Sequence, residues 1–267
     1  MKREALVRKI KSDIRAIRIQ GATAVAKAAV KAYILMPTDK NKKDLEKLRP
    51  TEPMLFHALN KLHKGRKEEV LTHLSETQKK INVNVLKVIR GKKKIFTHCH
   101  SSNVTSALIY AKKKGMHFRV CNTETRPLYQ GRKTARELSR AGIIVENFID
   151  SGMHAALKEV DVILIGADAI LSEGVINKIG SDAIAEISFV HKKPLYIVAD
   201  SWKYSPKHVK IEERDFHEVW ARSPKNVKVQ NPAFEMIESK YIRGVVSELG
   251  VLSFKEFLKK AERNYKN

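Results

Sequence analysis

Apolar positions recur at helical spacing through the first ninety residues. In REALVRKIKSDIRAIRI, Leu6, Ile10, Ile14 and Ile17 follow one another at steps of four, four and three, which puts them on one helical face. The pattern resumes after Gly21 in QGATAVAKAAVKAYIL, with Thr23 as its cap, and Pro37 closes it. Thr38 or Asp39 caps the short NKKDLEKL segment. Two prolines break the chain at RPTEP, and helical spacing returns in MLFHALNKLHK and KEEVLTHLSETQKKINVNVLKVI. No strand-like alternation of any length precedes residue 95.

Beyond RGKKK the character changes. Short apolar runs (IFTHC, FRVCNTE, IIVENFID, VDVILIGAD, PLYIVAD) alternate with amphipathic segments such as SSNVTSALIYAKKKG and GRKTARELSRAG. That alternation predicts an α/β fold: an N-terminal helical domain over 1–90, then a Rossmann-like domain over 91–267 with a parallel sheet and helices on both faces. Ligands of open parallel sheets sit beyond the carboxyl ends of the strands. One site is therefore expected from Cys99-His100, Asn122 to Arg126, Asp150-Ser151, Gly166 to Asp168 and Asp200-Ser201, with the helical domain as its cover.

Composition narrows the setting. The 267 residues are 43% hydrophobic and 30% charged, as in a soluble globular protein. No apolar run approaches the roughly 18–20 residues of a membrane span. The N-terminus lacks the apolar core of a signal peptide. A cytoplasmic protein without a membrane partner is expected. Net charge is +23, from 52 Lys and Arg against 29 Asp and Glu. Such a surface attracts polyanions, so RNA or DNA is admitted as a partner. No RNP, zinc-finger or KH-type motif supports it, and lysine enrichment also has causes unrelated to nucleic acid.

The chemistry centres on IFTHCHSSN at 95–103. Alternation along a strand puts His98 and His100 on one face and Cys99 on the other, so the three cannot grip one ion. With two cysteines and no HxxxH spacing, no metal is predicted. No GxGxxG follows the first strand and no GxxxxGK[ST] occurs, so no cofactor is predicted either. Anion-binding pieces are present instead. TETRPLYQGRK sets Arg126 and Arg132 around a Pro–Gly turn at the mouth of a helix, and Asn177-Lys178 and Gly180 open another. QGA at 20–22 and RPT at 49–51 offer further donor-rich turns. Asp168 ends its strand either as a turn cap or as the acid–base partner of Cys99, whose proton affinity differs from a carboxylate's. For Cys99 itself, packing stands beside acid–base chemistry as a reading.

Taken together, THC at 97–99, TETRPLYQGRKTARELSRAGI at 123–143, DVILIGADAILSEGVINKIGS at 161–181, NPAFE at 231–235 and YIRGVVSELGV at 241–251 resemble the sugar-phosphate isomerases related to translation initiation factor 2B. That family contains ribose-1,5-bisphosphate isomerase, methylthioribose-1-phosphate isomerase and the non-catalytic alpha, beta and delta subunits of the initiation factor. The resemblance implies that Cys99 and Asp168 are catalytic. It also implies that Gln20, Gly21, Ala22, Arg49, Arg126, Gln130, Gly131, Asn177 and Lys178 hold the phosphates and hydroxyls of a phosphorylated sugar. The enzymes carry Arg-Gly-Ala where this chain has Gln20-Gly21-Ala22. The activity implied is isomerisation of ribose 1,5-bisphosphate to ribulose 1,5-bisphosphate, with Cys99 taking the C2 proton and Asp168 serving the ring oxygen and hydroxyl. A homo-oligomer, dimer or larger, is implied as well. The alternative is a non-catalytic regulatory subunit that binds a nucleotide or sugar phosphate.

Overall fold

A computed structural model describes residues 2–211 and 213–266. Helices α1 (Lys2–Arg15), α2 (Ala22–Leu35), α3 (Asp39–Glu46) and α4 (Pro53–His63) share one core with the start of α5 (Lys67–Ile89). The buried stripe of α1 is Val7, Ile10 and Ile14, whereas Leu6 is 38% exposed. Ile17 lies beyond the helix in a left-handed turn. Ile10 and Ile14 face inward as expected, Val7 takes the place of Leu6, and α1 ends at Arg15, before Ile17. Helix α2 is entered through Gly21 at φ +84°, a conformation that favours glycine, so Thr23 falls inside the first turn and caps nothing. Thr38 does cap α3, its hydroxyl accepting from the Asn41 amide at 3.2 Å.

The large sheet contains β1 (Lys94–Thr97), β2 (Arg119–Thr123), β3 (Ile144–Phe148), β4 (Val162–Ile165), β7 (Leu195–Val198), β9 (Gly244–Ser247) and β10 (Gly250–Leu252). Its order is β10-β9-β7-β4-β1-β2-β3. All neighbours are parallel except β9 and β10, which form an antiparallel edge. Side chains of β4 are buried on both faces: Val162 and Leu164 meet α6 (Ser102–Lys113), α7 (Gln130–Arg140) and the end of α5. Ile163 and Ile165 meet α8 (Met153–Lys158), α9 (Ser181–Val190) and α10 (Phe254–Lys266). A strand covered on both sides reads as an unbroken apolar run, and VILI is one.

Strand order reverses between β1 and β4. From β1 the chain winds outward through β2 and β3; from β4 it winds the other way through β7 and β9. Such a switch point leaves a crevice at the carboxyl ends of the two central strands. There the chain after β4 nearly touches the chain after β1, since a Cβ on Gly166 would lie 2.6 Å from Ser101 Oγ.

A second, three-stranded antiparallel sheet of β5 (Ala169–Ile170), β6 (Gly174–Lys178) and β8 (Phe234–Glu238) was not expected from the alternation. Its strands are short, and β8 arrives from far along the chain. Asn177 and Lys178 therefore end a strand, and α9 begins after Gly180.

Along the chain we propose α5 as the end of the helical unit. In packing, the change-over falls within that helix: Val70 belongs to the helical core, and Ile81, Val85 and Ile89 to the core beneath the sheet. Trp202, just past β7, is buried in the helical core and stacks on His73 of α5 with ring centres 3.7 Å apart.

Gly131 shows how closely α7 is set against β2: an added Cβ would lie 1.7 Å from the Thr123 carbonyl oxygen. Gly131→Ala should therefore force α7 back and cost about 2–3 kcal/mol. Denaturant unfolding reads that loss, and an unchanged midpoint would show that α7 can retreat freely.

Candidate active site

A cleft opens at the switch point, between the carboxyl ends of β1 and β4 and the helical unit. Cys99 and Asp168 both line it. So do Gln20, Gly21, Ala22 and Arg49 from the helical side, and Gln130, Asn177 and Lys178 from the sheet side.

The end of β1 is held firmly. His98 is buried, and its Nε2 donates to the Ile179 carbonyl at 2.9 Å. Burial pushes its proton affinity down, so the ring is neutral and Nδ1 accepts from the Thr123 hydroxyl. Cys99 then takes a left-handed conformation, φ +60°, unusual for a side chain with a Cβ. Its amide donates to Thr125 Oγ1 at 3.1 Å, and its carbonyl accepts from Thr134 Oγ1 at 2.8 Å. Thr125 is itself left-handed, its amide held by Asp150 Oδ1 at 2.9 Å. Asp150 thus steadies the residue that steadies Cys99. His100 turns to Glu137 on α7, Nε2 to Oε2 at 3.1 Å. The strand has ended at Thr97, so alternation no longer governs, and the two histidines go to different partners rather than sharing a face.

Burial pushes the Cys99 thiol up to about 11, with the Lys178 ammonium acting against it and the Asp168 carboxylate adding to it. At neutral pH the group is a thiol and a proton donor. Lys203, which the sequence reading did not single out, is buried in the same wall. Its Nζ donates to the Ala167 carbonyl at 2.6 Å, and burial lowers its proton affinity while Asp168 and Asp200 support the charge. It follows Asp200, one of the expected strand-end residues. A lone lysine between Trp202 and Tyr204, just past a strand end, was the available signal. Arg214 also lines the cleft, its side chain 9% exposed and paired with Glu218.

Backbone adds to this positive lining. Helices α2, α6 and α7 begin at Ala22, Ser102 and Gln130, and all three residues line the cleft. Their positive dipole ends favour an anion, although the Gly131 and Arg132 amides of α7 are already bonded to the Glu124 and Tyr129 carbonyls and the Val104 amide of α6 to Ser101 Oγ. Two buried polar atoms, Thr23 Oγ1 and Gln130 Oε1, have no hydrogen-bond partner among the described residues although both residues line the cleft. Groups of that kind await a polar ligand.

Two predicted residues stand elsewhere. Arg126 lies outside the cleft, Nη1 donating to Tyr129 Oη at 2.6 Å and Nη2 to the Val219 carbonyl at 3.3 Å. Gly131 serves the close approach of α7 rather than the cleft wall. Arg132 is likewise engaged, with Glu124 at 2.6 Å. Of the five expected strand-end clusters, those after β1 and β4 face the cleft. Asn122 instead bonds inward to the Gly131 carbonyl at 2.8 Å.

Residues 2–254 match the model of the initiation factor 2 subunit family. The chain belongs to that family. A ribose 1,5-bisphosphate isomerase of Methanocaldococcus jannaschii is 31% identical over 281 residues, covering 92% of this chain and 91% of its own. Among solved structures, the translation initiation factor eIF-2B of Pyrococcus horikoshii OT3 is similar with a TM-score of 0.83 and 27% identity, over 92% of this chain and 96% of that one. The 5-methylthioribose 1-phosphate isomerase of the same organism gives a TM-score of 0.79 at 26% identity, over 97% and 88%. The initiation factor 2 subunit family thus spans a fold shared by proteins named as isomerases and as translation factors. In this member, no helix among the described residues is long and apolar enough to cross a membrane.

The raised thiol has a direct readout. In a Cys121→Ser background, alkylation of Cys99 at pH 8 should run on the order of 10²-fold slower than for a free thiol of ordinary proton affinity. The rate should climb about tenfold per pH unit up to about 11. A plateau near pH 8 would show that the thiolate is stabilised in the cleft.

Proposed function

We propose that this chain is an aldose–ketose isomerase that converts ribose 1,5-bisphosphate to ribulose 1,5-bisphosphate. The coarser reading, a sugar-phosphate isomerase, is supported by relatives near 30% identity that carry that activity in their names. The single observation behind the finer one is a thiol and a carboxylate facing one cleft whose lining is built for anions at more than one place. Arg49 and the start of α2 lie on the helical side; Lys178, Lys203 and the start of α7 lie on the sheet side. A sugar with a phosphate at each end suits that distribution.

The phosphate on the anomeric oxygen blocks ordinary ring opening, because that oxygen has no proton to lose. A proton must therefore reach the ring oxygen while another leaves C2. Cys99 starts as the thiol, which makes it the donor, and this reverses the roles given above to Cys99 and Asp168 with the implied activity. Asp168 accepts the C2 proton as the bond between C1 and the ring oxygen breaks, and Cys99 protonates that oxygen. The enol phosphate so formed loses its C2 hydroxyl proton to the Cys99 thiolate. Asp168 returns a proton to C1, which leaves the C2 ketone and both side chains as they began. Arg49, Lys178, Lys203 and the helix N-termini hold the phosphates, with Gln130 and Asn177 on the hydroxyls. We propose a homo-oligomer as the working form.

One feature favours a second reading, a subunit that binds a phosphorylated ligand without turning it over: the neutral Gln20 at the cleft edge. Turnover of α-ribose 1,5-bisphosphate followed by NMR separates the two. The native chain should produce the ketose, and Cys99→Ser or Asp168→Asn should lower kcat by about 10²–10⁴ while ligand-induced stabilisation persists. A melting shift with no ketose from the native chain would sink the isomerase and favour the binding subunit. The pH profile tests the order of transfer. With Cys99 as donor, kcat should hold beyond pH 9 and fall only as pH approaches about 11, where the thiol is lost. A rate rising steadily through that range would instead make the thiolate the initiating base.

A further inference from the structure

Away from the cleft, three ligating side chains from distant parts of the chain converge where the helical unit meets the sheet. They are His73 on α5, Asp200 after β7 and Glu248 in the turn between β9 and β10. One ligand atom from each lies within 4.8 Å of the others. We propose that His73, Asp200 and Glu248 bind a divalent transition-metal ion of the zinc class, which ties α5 to the carboxyl ends of β7 and β9.

Several observations support a cation there. Asp200 is 3% exposed, and two carboxylates held this close out of water repel each other as anions, a repulsion that a cation between them would relieve. Both side-chain hydrogen bonds of Asp200 run through Oδ1, from the Trp202 amide at 2.8 Å and with His73 Nε2 at 2.8 Å. Oδ2 is left without a hydrogen bond among the described residues. Glu248 is oriented by the Ser201 amide, which donates to both of its oxygens at 3.3 and 3.1 Å. Stacking on Trp202 fixes the plane of the His73 ring. The ligands therefore come with the supporting contacts that metal sites need.

The donor set selects the ion. One imidazole nitrogen and two carboxylates suit zinc, cobalt or manganese, and leave one or more positions for water. Calcium would require six to eight oxygens, and magnesium prefers oxygen ligands and keeps most of its water. Bonds of about 2.0–2.2 Å require a modest contraction, with Glu248 moving inward and the His73–Asp200 hydrogen bond giving way to the ion. No sequence motif announces such a site, since 127 positions separate His73 from Asp200.

Chain purified without an affinity tag and stripped with EDTA should bind one Zn²⁺ per molecule in calorimetry. Its melting temperature should rise by several degrees with the metal. Co²⁺ in place of Zn²⁺ should give d–d bands without thiolate charge transfer, which separates this site from Cys99. Glu248→Gln and His73→Gln should each weaken Zn²⁺ at least tenfold, as should a Co²⁺ titration of the same variants. His154→Ala should leave binding intact, which tests the surface pair His154 and His191, whose Nε2 atoms are 2.9 Å apart. Absence of saturable Zn²⁺ binding by the native chain overturns the proposal even if a variant fails to fold. Binding untouched by both substitutions, or a thiolate spectrum, overturns it equally.

Discussion

The manner in which β1 stops governs the geometry of everything around it. A parallel strand that ran on past Thr97 would carry Cys99 into the core on one face and the histidines onto the other. Instead His98 is pinned between Thr123 and Ile179, and Cys99 is turned into left-handed backbone. A non-glycine residue there costs on the order of 1–3 kcal/mol, so the conformation must be imposed from outside. The threonine hydroxyls of Thr125 and Thr134 grip Cys99 at its amide and its carbonyl, and Asp150 holds Thr125 in turn. Each of these belongs to a different turn or helix beyond β1. The thiol's place is therefore a property of the whole carboxyl edge of the sheet, not of the strand that carries it.

Charge in the cleft is assembled on the same principle. A single helix N-terminus contributes about 0.3–1 kcal/mol toward an anion, too little to define a phosphate site. Three of them open onto this cleft, joined by side chains with unrelated anchorage: Arg49 before α4, Lys178 at the end of the small sheet, Lys203 after β7. Burial magnifies each, because little water remains to screen it. It also explains Lys203, whose desolvation is offset by the Ala167 carbonyl and by two nearby carboxylates. A lysine so placed is held at a defined point, unlike the many solvated lysines that make up the net charge of +23.

Much of this was legible in the residues. Helical spacing before residue 90 and alternating runs after it are local properties, and they led to the right fold class. Strand ends were legible too, because parallel strands buried on both faces stop where the apolar run stops. What escaped depended on contacts across long stretches of chain. Leu6 and Val7 exchange roles because the face of α1 is chosen by its neighbours. The small sheet escaped because β8 joins β6 from beyond a long excursion. Arg126 carries the right chemistry in the right motif, yet Tyr129 and Val219 draw its guanidinium away from the cleft. Gly131 reads as a ligand-binding glycine, but the missing Cβ makes room for a carbonyl of β2.

The helical unit is then more than a cover. Gln20, Gly21, Ala22 and Arg49 form one wall of the cleft, and Cys99, Asp168 and Lys178 form the opposite one. The thiol and the carboxylate stand on the sheet side, while basic groups line the cleft from both sides. A ligand gripped from both sides needs the spacing between the walls to be held, although only part of the chain crosses from one to the other. Helix α5 is the main rigid crossing, with Val70 in one core and Ile89 in the other. In its second turn, His73 meets Asp200 and Trp202, and Lys203 is the next residue after that tryptophan. The same short turn thus fastens the two units together at one end and reaches into the cleft at the other. A shift of α5 against the sheet would move Lys203 and its part of the cleft wall together, so the joint and the cleft are mechanically one feature.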